Sequence, residues 1–327
     1  MMSTIKFYRL LSPVQSSKIF QGCTKRNATN TSRQSKKSTD KKGQDVEVNA
    51  ERPQTSTIVK HVVYTAVAVP TIFTGCAIWQ YERIRNESFL LRHQRWQQKE
   101  MGIRDHINSI WNSLSPVQKF TYTFVGVNAV VFLMWRVPAL QPFMLRYFTH
   151  LPAKSHSVLG GTLCGLSHSS GLHFLVNMYV FASFVHPMMP LFGKEQTLAV
   201  FLGGATFSSL VSAIFRLSTK SMIPSLGASG GILTLVAITC LTFPDSKLAI
   251  AFVDQIIPHS FSAESAVIGI VLFDLLGILL RWKLLDHAGH LGGVAFGVWY
   301  AKYGHEFYRD YRNKLLQFWH GVRTGKN

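Results

Sequence analysis

The chain has 327 residues, of which 47% are hydrophobic and only 15% are charged. A soluble domain of this length would carry about 25% charged residues, so the composition excludes a large soluble core and indicates a polytopic membrane protein. The formal net charge is +18, but half of it lies in residues 1–43, which hold ten Lys or Arg and one acidic residue. The remaining basic residues lie mainly in loops, and a nucleic-acid-binding surface is therefore not indicated.

Residues 1–57 form a basic leader and a polar linker. The leader is rich in Ser and Thr, poor in acidic residues, and lacks the continuous apolar run of a secretory signal. This composition predicts a mitochondrial presequence followed by a disordered basic linker. A disordered basic cytosolic tail is the alternative.

Apolar segments follow in series. Residues 58–81 predict an N-terminal transmembrane helix, because no charged residue occurs between Val62 and Trp79. In residues 82–118 basic and apolar residues alternate, which predicts a basic amphipathic connector at a membrane surface or, alternatively, a solvated helical linker. Residues 119–304 predict a six-helix core, and residues 305–327 a basic C-terminal tail. The six apolar stretches are 120–135, 172–189, 196–215, 226–243, 265–280 and 287–303.

The connector at residues 136–170, between the first two core stretches, is too long for a simple turn. It is also partly apolar, so we expect it to fold as an element of its own.

A candidate nucleophile lies at the start of the fourth core stretch. Ser229 stands in the string Gly227-Ala228-Ser229-Gly230, whose small residues would let a substrate backbone approach the hydroxyl. The unpaired N–H groups and positive dipole end of a helix start would favour a developing negative charge. A plain small-residue packing face is the alternative.

A candidate base lies in the last core stretch. His290 is followed by Gly293 and Gly297, a spacing that allows close packing against another helix. If that neighbour is the helix that begins at Ser229, the histidine reaches the serine hydroxyl, which is the arrangement of a general-base dyad. A structural hydrogen-bonding histidine is the alternative.

Two further polar residues fall in the second core stretch. His173 and Asn177 are four residues apart and therefore share one helix face. Polar groups inside a membrane are costly unless they are paired or face a cavity. An inter-helix hydrogen-bonded pair is one interpretation, and a set of donors for an oxyanion is the other.

With these motifs together, the chain resembles the rhomboid intramembrane serine proteases, and among them the mitochondrial presenilin-associated rhomboid-like branch. The residues that carry the resemblance are those of the two motifs at 227–230 and 290–293, the polar set of the second core helix, and the start of the long connector. They are Gly227, Ser229, Gly230, His290, Gly293, His168, His173, Asn177, Trp135 and Arg136. Trp135-Arg136-Val137-Pro138, Asn177-Met178-Tyr179 and Asp286-His287 point to the mitochondrial branch.

The resemblance covers residues 58–304 and implies an all-α polytopic rhomboid fold with one extra N-terminal helix, a 1+6 arrangement. It implies Ser229 as nucleophile, His290 as general base, and an oxyanion hole of His173, Asn177 and the Ser229 backbone N–H. It implies supporting roles for the remaining motif residues: Trp135, Arg136 and His168 at the long loop, Gly227 beside the nucleophile, and Gly293 and Gly297 in helix packing.

The chain departs from the bacterial pattern at one position. Many bacterial rhomboids have a Tyr four residues after the serine that stacks on the histidine, and here that residue is Leu233. Some other feature must then hold the base. Asp274 in the fifth core helix either orients His290 or pairs with a loop or backbone donor.

The predicted function is an intramembrane serine endopeptidase of the mitochondrial inner membrane, with roles in mitochondrial dynamics and quality control. Its substrates would be single-pass transmembrane proteins whose helix unwinds locally within the lipid bilayer. We expect no metal and no organic cofactor, and the four cysteines form no CxxC pair that would suggest a zinc site. The alternatives are a catalytically silent rhomboid-like scaffold that binds transmembrane clients and a proton-coupled transporter.

Overall fold

The computed structural model describes residues 53–93, 102–152, 158–221, 223–249 and 260–325. The predicted presequence and nearly all of the linker, residues 1–52, lie outside the described residues. Apart from one antiparallel pair of two-residue strands, the described chain is helical. The prediction of an all-α polytopic fold is thereby confirmed.

The regular elements follow in chain order. The first group is α1 (Pro53–His93), α2 (Ile103–Ser113), α3 (Pro116–Met134), α4 (Gln141–Tyr147), α5 (Gly160–Leu163) and α6 (Gly171–Ser218). The second group is α7 (Ser229–Thr242), β1 (Lys247–Leu248), β2 (Phe261–Ser262), α8 (Ala263–Leu279), α9 (His287–Trp299) and α10 (His305–Thr324). Short 3₁₀ turns lie at Pro138–Leu140 and Cys164–Leu166, and a π-turn at Tyr300–Gly304 joins α9 to α10.

Helix α6 is the centre of the bundle and supplies two of the six core segments. Its halves meet at Gly193, whose φ of 73° lies in the left-handed region that glycine adopts without strain. Pro187 and Pro190 precede the break and remove two backbone donors from the helix. The second half packs against α1, α7 and α9, and its face is largely buried, with Val200 and Phe201 fully covered.

The contact between α7 and α9 is made by backbone. A Cβ atom at Gly293 would lie 2.2 Å from the carbonyl oxygen of Gly230, and one at Gly297 would lie 2.6 Å from that of Thr234. Thr234 also donates its hydroxyl to the carbonyl of Gly293 at 2.8 Å. Glycine is required on α9 because any side chain there would force the two helices apart.

The structure extends the first helix beyond its predicted end. We predicted a span over 58–81 and a connector from residue 82, but α1 continues to His93. Arg83 accounts for the continuation, because its guanidinium pairs with the buried carboxylate of Glu195 at 2.5 Å and with Glu87 one turn later. Within the predicted connector, α2 is a separate amphipathic helix with no buried residue.

The predicted basic tail is the helix α10, which packs against α1. Trp319 donates to Glu82 at 2.9 Å, and Tyr81 lies 2.7 Å from the Nδ1 atom of His320. Tyr308 packs edge-on against Phe73, with ring centroids 4.9 Å apart. Charge alone gave no sign of this contact in the sequence.

Among the described residues, three helices are long and apolar enough to cross a membrane, namely Ser56–Phe89, Pro116–Met134 and Gly171–Ser218. Helix α7 is apolar but has only 14 residues. Large apolar side chains remain exposed on the outer surfaces of the bundle, for example Val67, Leu133 and Leu272. Such surfaces are unusual for a soluble protein and suit contact with lipid.

Candidate active site

Ser229 is the first residue of α7, and the chain before it is held from two sides. Ser225 forms a two-stranded bridge with His150 of the long connector, with N–O distances of 2.8 and 2.9 Å. Gly227 donates its N–H to the carbonyl oxygen of Cys164 at 3.0 Å. Its φ is 143°, a backbone conformation that residues with side chains rarely adopt. The serine hydroxyl therefore stands on a fixed turn at a helix start.

Gly227 is also required for space. A Cβ atom at this position would lie 2.7 Å from Cε1 of His173. The glycine therefore lets the His173 ring lie directly against the backbone before Ser229. Both the conformation and the space exclude a side chain at residue 227.

His290 lies opposite the serine in the first turn of α9. Its Nε2 atom is 2.9 Å from the Ser229 hydroxyl oxygen, and its Nδ1 atom is 3.1 Å from Oδ1 of Asp274 on α8. The three side chains therefore have the connectivity of a serine, histidine and carboxylate triad. Of the two interpretations of Asp274, the structure has the one in which the carboxylate meets His290. Among the described residues, no hydrogen bond joins Asp274 to a loop or backbone donor.

Asp274 has a second histidine partner that the sequence analysis did not assign. His287 lies 2.6 Å from the same Oδ1 atom through its own Nδ1, and both side chains are almost completely buried. Gly277 makes room for this ring, since a Cβ there would lie 2.4 Å from it. The spacing of His287 and His290, three residues apart on one helix, is a signal that was visible in the sequence.

A polar face on α6 fixes the start of α9. Ser212 donates to Asp286 at 2.5 Å, Arg216 pairs with the same carboxylate at 3.2 Å, and Ser208 donates to the carbonyl of Gly289 at 2.6 Å. Asp286 in turn caps the helix by accepting the N–H of Gly289. Burial is the largest single effect on the Asp286 carboxyl and would raise its pKa, but Arg216 and the hydrogen bonds from Ser212 and the Gly289 N–H together outweigh it, so the pKa lies below its ordinary value. The four-residue spacing of Ser208, Ser212 and Arg216 is a helical-face pattern that the sequence analysis missed.

His173 and Asn177 lie across the cavity from His290. Ser170 caps α6 by accepting the N–H of His173, which sets that residue in the first turn. Asn177 donates one amide N–H to the carbonyl of His173 at 2.8 Å. A primary amide has a second N–H, so Asn177 retains a donor for another acceptor.

Trp135, Arg136 and His168 were predicted to support the long connector, and each has a defined contact. Trp135 donates its indole N–H to Ser167 at 2.8 Å, and Arg136 lies over the ring of Phe132 at 4.7 Å. His168 is completely buried with its Nε2 3.5 Å from the N–H of Ala228. Burial lowers the pKa of His168 to about 3, so the ring is neutral near pH 7 and able to accept that N–H.

A cavity of about 610 Å³ opens beside the serine, between the first half of α6 and α8. Five of the predicted site residues line it: His173, Asn177, Ser229, Asp274 and His290. The rest of its wall is mainly apolar and includes Leu233, Ala266, Gly269 and Phe273. The cavity combines a hydroxyl, an apposed imidazole and amide donors with walls that suit an apolar peptide segment.

Comparison with known proteins gives concordant relatives. The sequence profile of the Rhomboid domain family matches residues 157–307. The "Presenilin-associated rhomboid-like protein, mitochondrial" of Mus musculus is 40% identical over 276 residues, which cover 82% of this chain and 72% of that protein. The human protein of the same name is 38% identical over 275 residues, with the same coverage. "Rhomboid protein 1, mitochondrial" of Saccharomyces cerevisiae is 28% identical over 206 residues, 61% of this chain and 57% of that protein.

Proposed function

This chain belongs to the rhomboid family, in its mitochondrial presenilin-associated rhomboid-like branch, and we propose that it is an active intramembrane serine endopeptidase. It is a multi-pass protein of a mitochondrial membrane. We propose the inner membrane as its location, and mitochondrial dynamics and quality control as the processes it serves.

The observation that carries the proposal is the 2.9 Å contact between Nε2 of His290 and the hydroxyl oxygen of Ser229. In the proposed reaction Ser229 attacks the scissile carbonyl while His290 takes the hydroxyl proton. The same histidine then gives that proton to the leaving amine. Water then attacks the acyl carbonyl and gives a proton to His290, the ester bond to Ser229 breaks, and His290 returns the proton to the serine oxygen.

The negative charge of the tetrahedral intermediate needs donors fixed in advance. The first N–H groups of a helix have no intrahelical acceptor, so the Ser229 N–H is suited to this role. The second amide N–H of Asn177 and the ring of His173 are on the opposite wall of the same cavity. We propose that these three groups form the oxyanion hole.

Asp274 is proposed as the positioning residue of the base. Its carboxylate accepts from Nδ1 of His290 and thereby leaves Nε2 free to accept the serine proton. This contact supplies the orientation that Leu233 does not provide.

The proposed substrates are single-pass transmembrane proteins. The mostly apolar wall of the cavity and its position between two helices of the bundle support access from the bilayer. A substrate helix must unwind before its peptide bond can meet Ser229, so we expect small or helix-destabilising residues near the cleavage point.

The test is labelling of the detergent-solubilised full chain with a fluorophosphonate probe, followed by cleavage of a rhomboid-type transmembrane substrate. Ser229→Ala and His290→Ala should each lower turnover by a factor on the order of 10⁴ or more, and Ser229→Ala should abolish labelling. Ser183→Ala and His186→Ala change exposed residues of α6 outside the cavity and serve as matched controls. A folded wild-type protein that binds the substrate without labelling or cleavage would support the silent scaffold instead.

A further inference from the structure

Three side chains of types that bind metal ions meet beside Ser229, and His290 is one of them. Asp274, His287 and His290 each offer one ligand atom, and these atoms all lie within 4.8 Å of one another. Oδ1 of Asp274 is 2.6 Å from Nδ1 of His287 and 3.1 Å from Nδ1 of His290. One carboxylate oxygen and two imidazole nitrogens are the donor set of zinc sites that have three protein ligands.

The fold fixes this cluster rigidly. His287 and His290 lie on one face of the first turn of α9, and Asp274 faces them from α8. The ring of His287 is enclosed by Phe273 and Trp282, with centroid distances of 5.8 and 5.9 Å. Ligands that are held in place before an ion arrives lose little freedom on binding, which favours affinity.

Two of the three distances between ligand atoms are 2.6 and 3.1 Å, and the third is no longer than 4.8 Å. Bonds of about 2.1 Å to zinc set neighbouring ligand atoms about 3.4 Å apart. The two hydrogen-bonded contacts would therefore lengthen by less than about 1 Å to accept the ion. Two nitrogen ligands favour Zn²⁺ over Mg²⁺ or Ca²⁺, which prefer oxygen.

We propose that Zn²⁺ binds to Asp274, His287 and His290 and thereby inhibits the protease; the inhibitory part rests on the function proposed above. The ion reaches the cluster through the cavity, which Asp274 and His290 line. Among the described residues, these three side chains form a group whose ligand atoms lie close enough together to hold one metal ion. It stands beside the nucleophile and does not include it.

Inhibition follows from the identity of the nitrogen that the ion occupies. In the active arrangement His290 carries its proton on Nδ1, toward Asp274, and keeps a lone pair on Nε2 toward Ser229. Zinc on Nδ1 moves that proton to Nε2 of the same ring. Nε2 then donates to the serine hydroxyl and has no lone pair to accept its proton.

Binding of the ion in this arrangement takes up and releases no proton. His287 makes the same shift, from Nδ1 to Nε2, so the neutral histidines release no proton when the ion binds. Its Nε2 atom is buried and has no hydrogen-bond partner in the described residues. The ion is held as a Lewis acid between a carboxylate and two neutral imidazoles, and no group is oxidised or reduced.

The first experiment measures metal binding without reference to activity. Chelator-stripped full-length Ser229→Ala protein in detergent is titrated with Co²⁺, whose absorption bands report tetrahedral coordination, and then with Zn²⁺ as competitor. We expect one ion per chain and a loss of affinity of about tenfold or more in His287→Phe on this background. His186→Phe, at an exposed histidine of α6, is the matched control and should bind as the parent does.

A second variant guards against misfolding. His287→Gln keeps an amide N–H for Asp274 and removes the imidazole ligand, so it should fold as the parent and still lose the Co²⁺ bands. Binding that is unchanged in both His287 variants, or absent from the parent, would overturn the proposed site.

The second experiment measures inhibition in the wild-type chain. Zn²⁺ should suppress both fluorophosphonate labelling and substrate cleavage, and a chelator should restore both. If Zn²⁺ binds to the Ser229→Ala protein but leaves wild-type turnover unchanged, the inhibitory role is wrong. If the chelated wild type neither labels nor cleaves, the proposed protease function fails, while the binding result still decides whether the metal site exists.

Discussion

Two interfaces of the bundle hold apolar helices together in different ways. Between α7 and α9, glycines bring backbone against backbone, and the hydroxyl of Thr234 bonds across to the carbonyl of Gly293. Between α1 and the core, side chains make the contact, through the rings around Phe73 and the ion pair of Arg83 with Glu195. The first interface fixes a distance between two backbones. The second fixes only the packing of side chains, which have several ways to adjust.

Backbone contacts are needed where the position of a site residue depends on the spacing of two helices, and side-chain contacts suffice elsewhere. Ser229 and His290 lie on α7 and α9, so their 2.9 Å separation depends directly on the spacing of those two helices. Among the described residues, none that line the cavity beside Ser229 belong to helix α1. Changes at the first interface should therefore act on turnover, and changes at the second should act on stability.

Among changes at the two interfaces, the largest effect on turnover is expected for Gly293→Val. Its Cβ would lie 2.2 Å from the carbonyl oxygen of Gly230, so α9 must move away from α7 and take His290 with it. A displacement of about 1 Å in a catalytic group costs about 100-fold in rate, and we expect at least that loss in substrate cleavage. Gly126→Val on α3 is the control, because a Cβ there meets no atom within 4 Å. Wild-type turnover in Gly293→Val would contradict the assigned role of the α7–α9 interface.

Asp274→Asn acts on the same histidine from α8 and should have an effect on turnover of the same order. The amide can present its N–H₂ group to His290 and hold the ring in the wrong tautomer, which in serine protease triads lowers kcat by about 10⁴-fold. We expect kcat to fall on the order of 10²- to 10⁴-fold with little change in KM, measured in the transmembrane-substrate assay. Asp245→Asn, at an exposed position after α7, should leave both constants as they are. A change in KM alone would assign Asp274 to substrate binding instead.

The smallest effect on turnover is expected for Glu195→Gln at the outer interface. Only the Glu195 side of this pair is buried, and Arg83 keeps its contact with Glu87. The loss should therefore stay below the roughly 3 kcal/mol of a fully buried pair, and we expect a measurable fall in Tm for the detergent-solubilised protein. Turnover per folded molecule should stay within about twofold, because no catalytic distance depends on α1. Asp310→Asn breaks an exposed pair with Arg309 and should leave Tm unchanged. A loss of turnover at full stability would show that α1 acts on the site.

The core helices and the two motifs around Ser229 and His290 could be predicted from the sequence, because both depend on local signals. Apolar stretches and the small residues around Ser229 and His290 can be recognised without knowing which helices are neighbours. The contact of His287 with Asp274 could not be predicted, since it depends on how α8 and α9 are rotated about their axes. Likewise, the basic composition of residues 305–327 gave no indication that Tyr308 and Trp319 face α1.

The contacts between α1 and α10 also bear on the order in which the protein is assembled. The bonds of Thr74 to Tyr311 and of Glu82 to Arg323 join residues that are 237 and 241 positions apart. A helix made early in synthesis thus has to wait in the membrane for partners that leave the ribosome more than 200 residues later. Contacts of such long sequence separation form late, because the intervening chain must first be ordered. Closure of α10 onto α1 is therefore expected to be a late step of biogenesis, and a chain that stops before α10 would leave Thr74 and Glu82 without their partners on that helix.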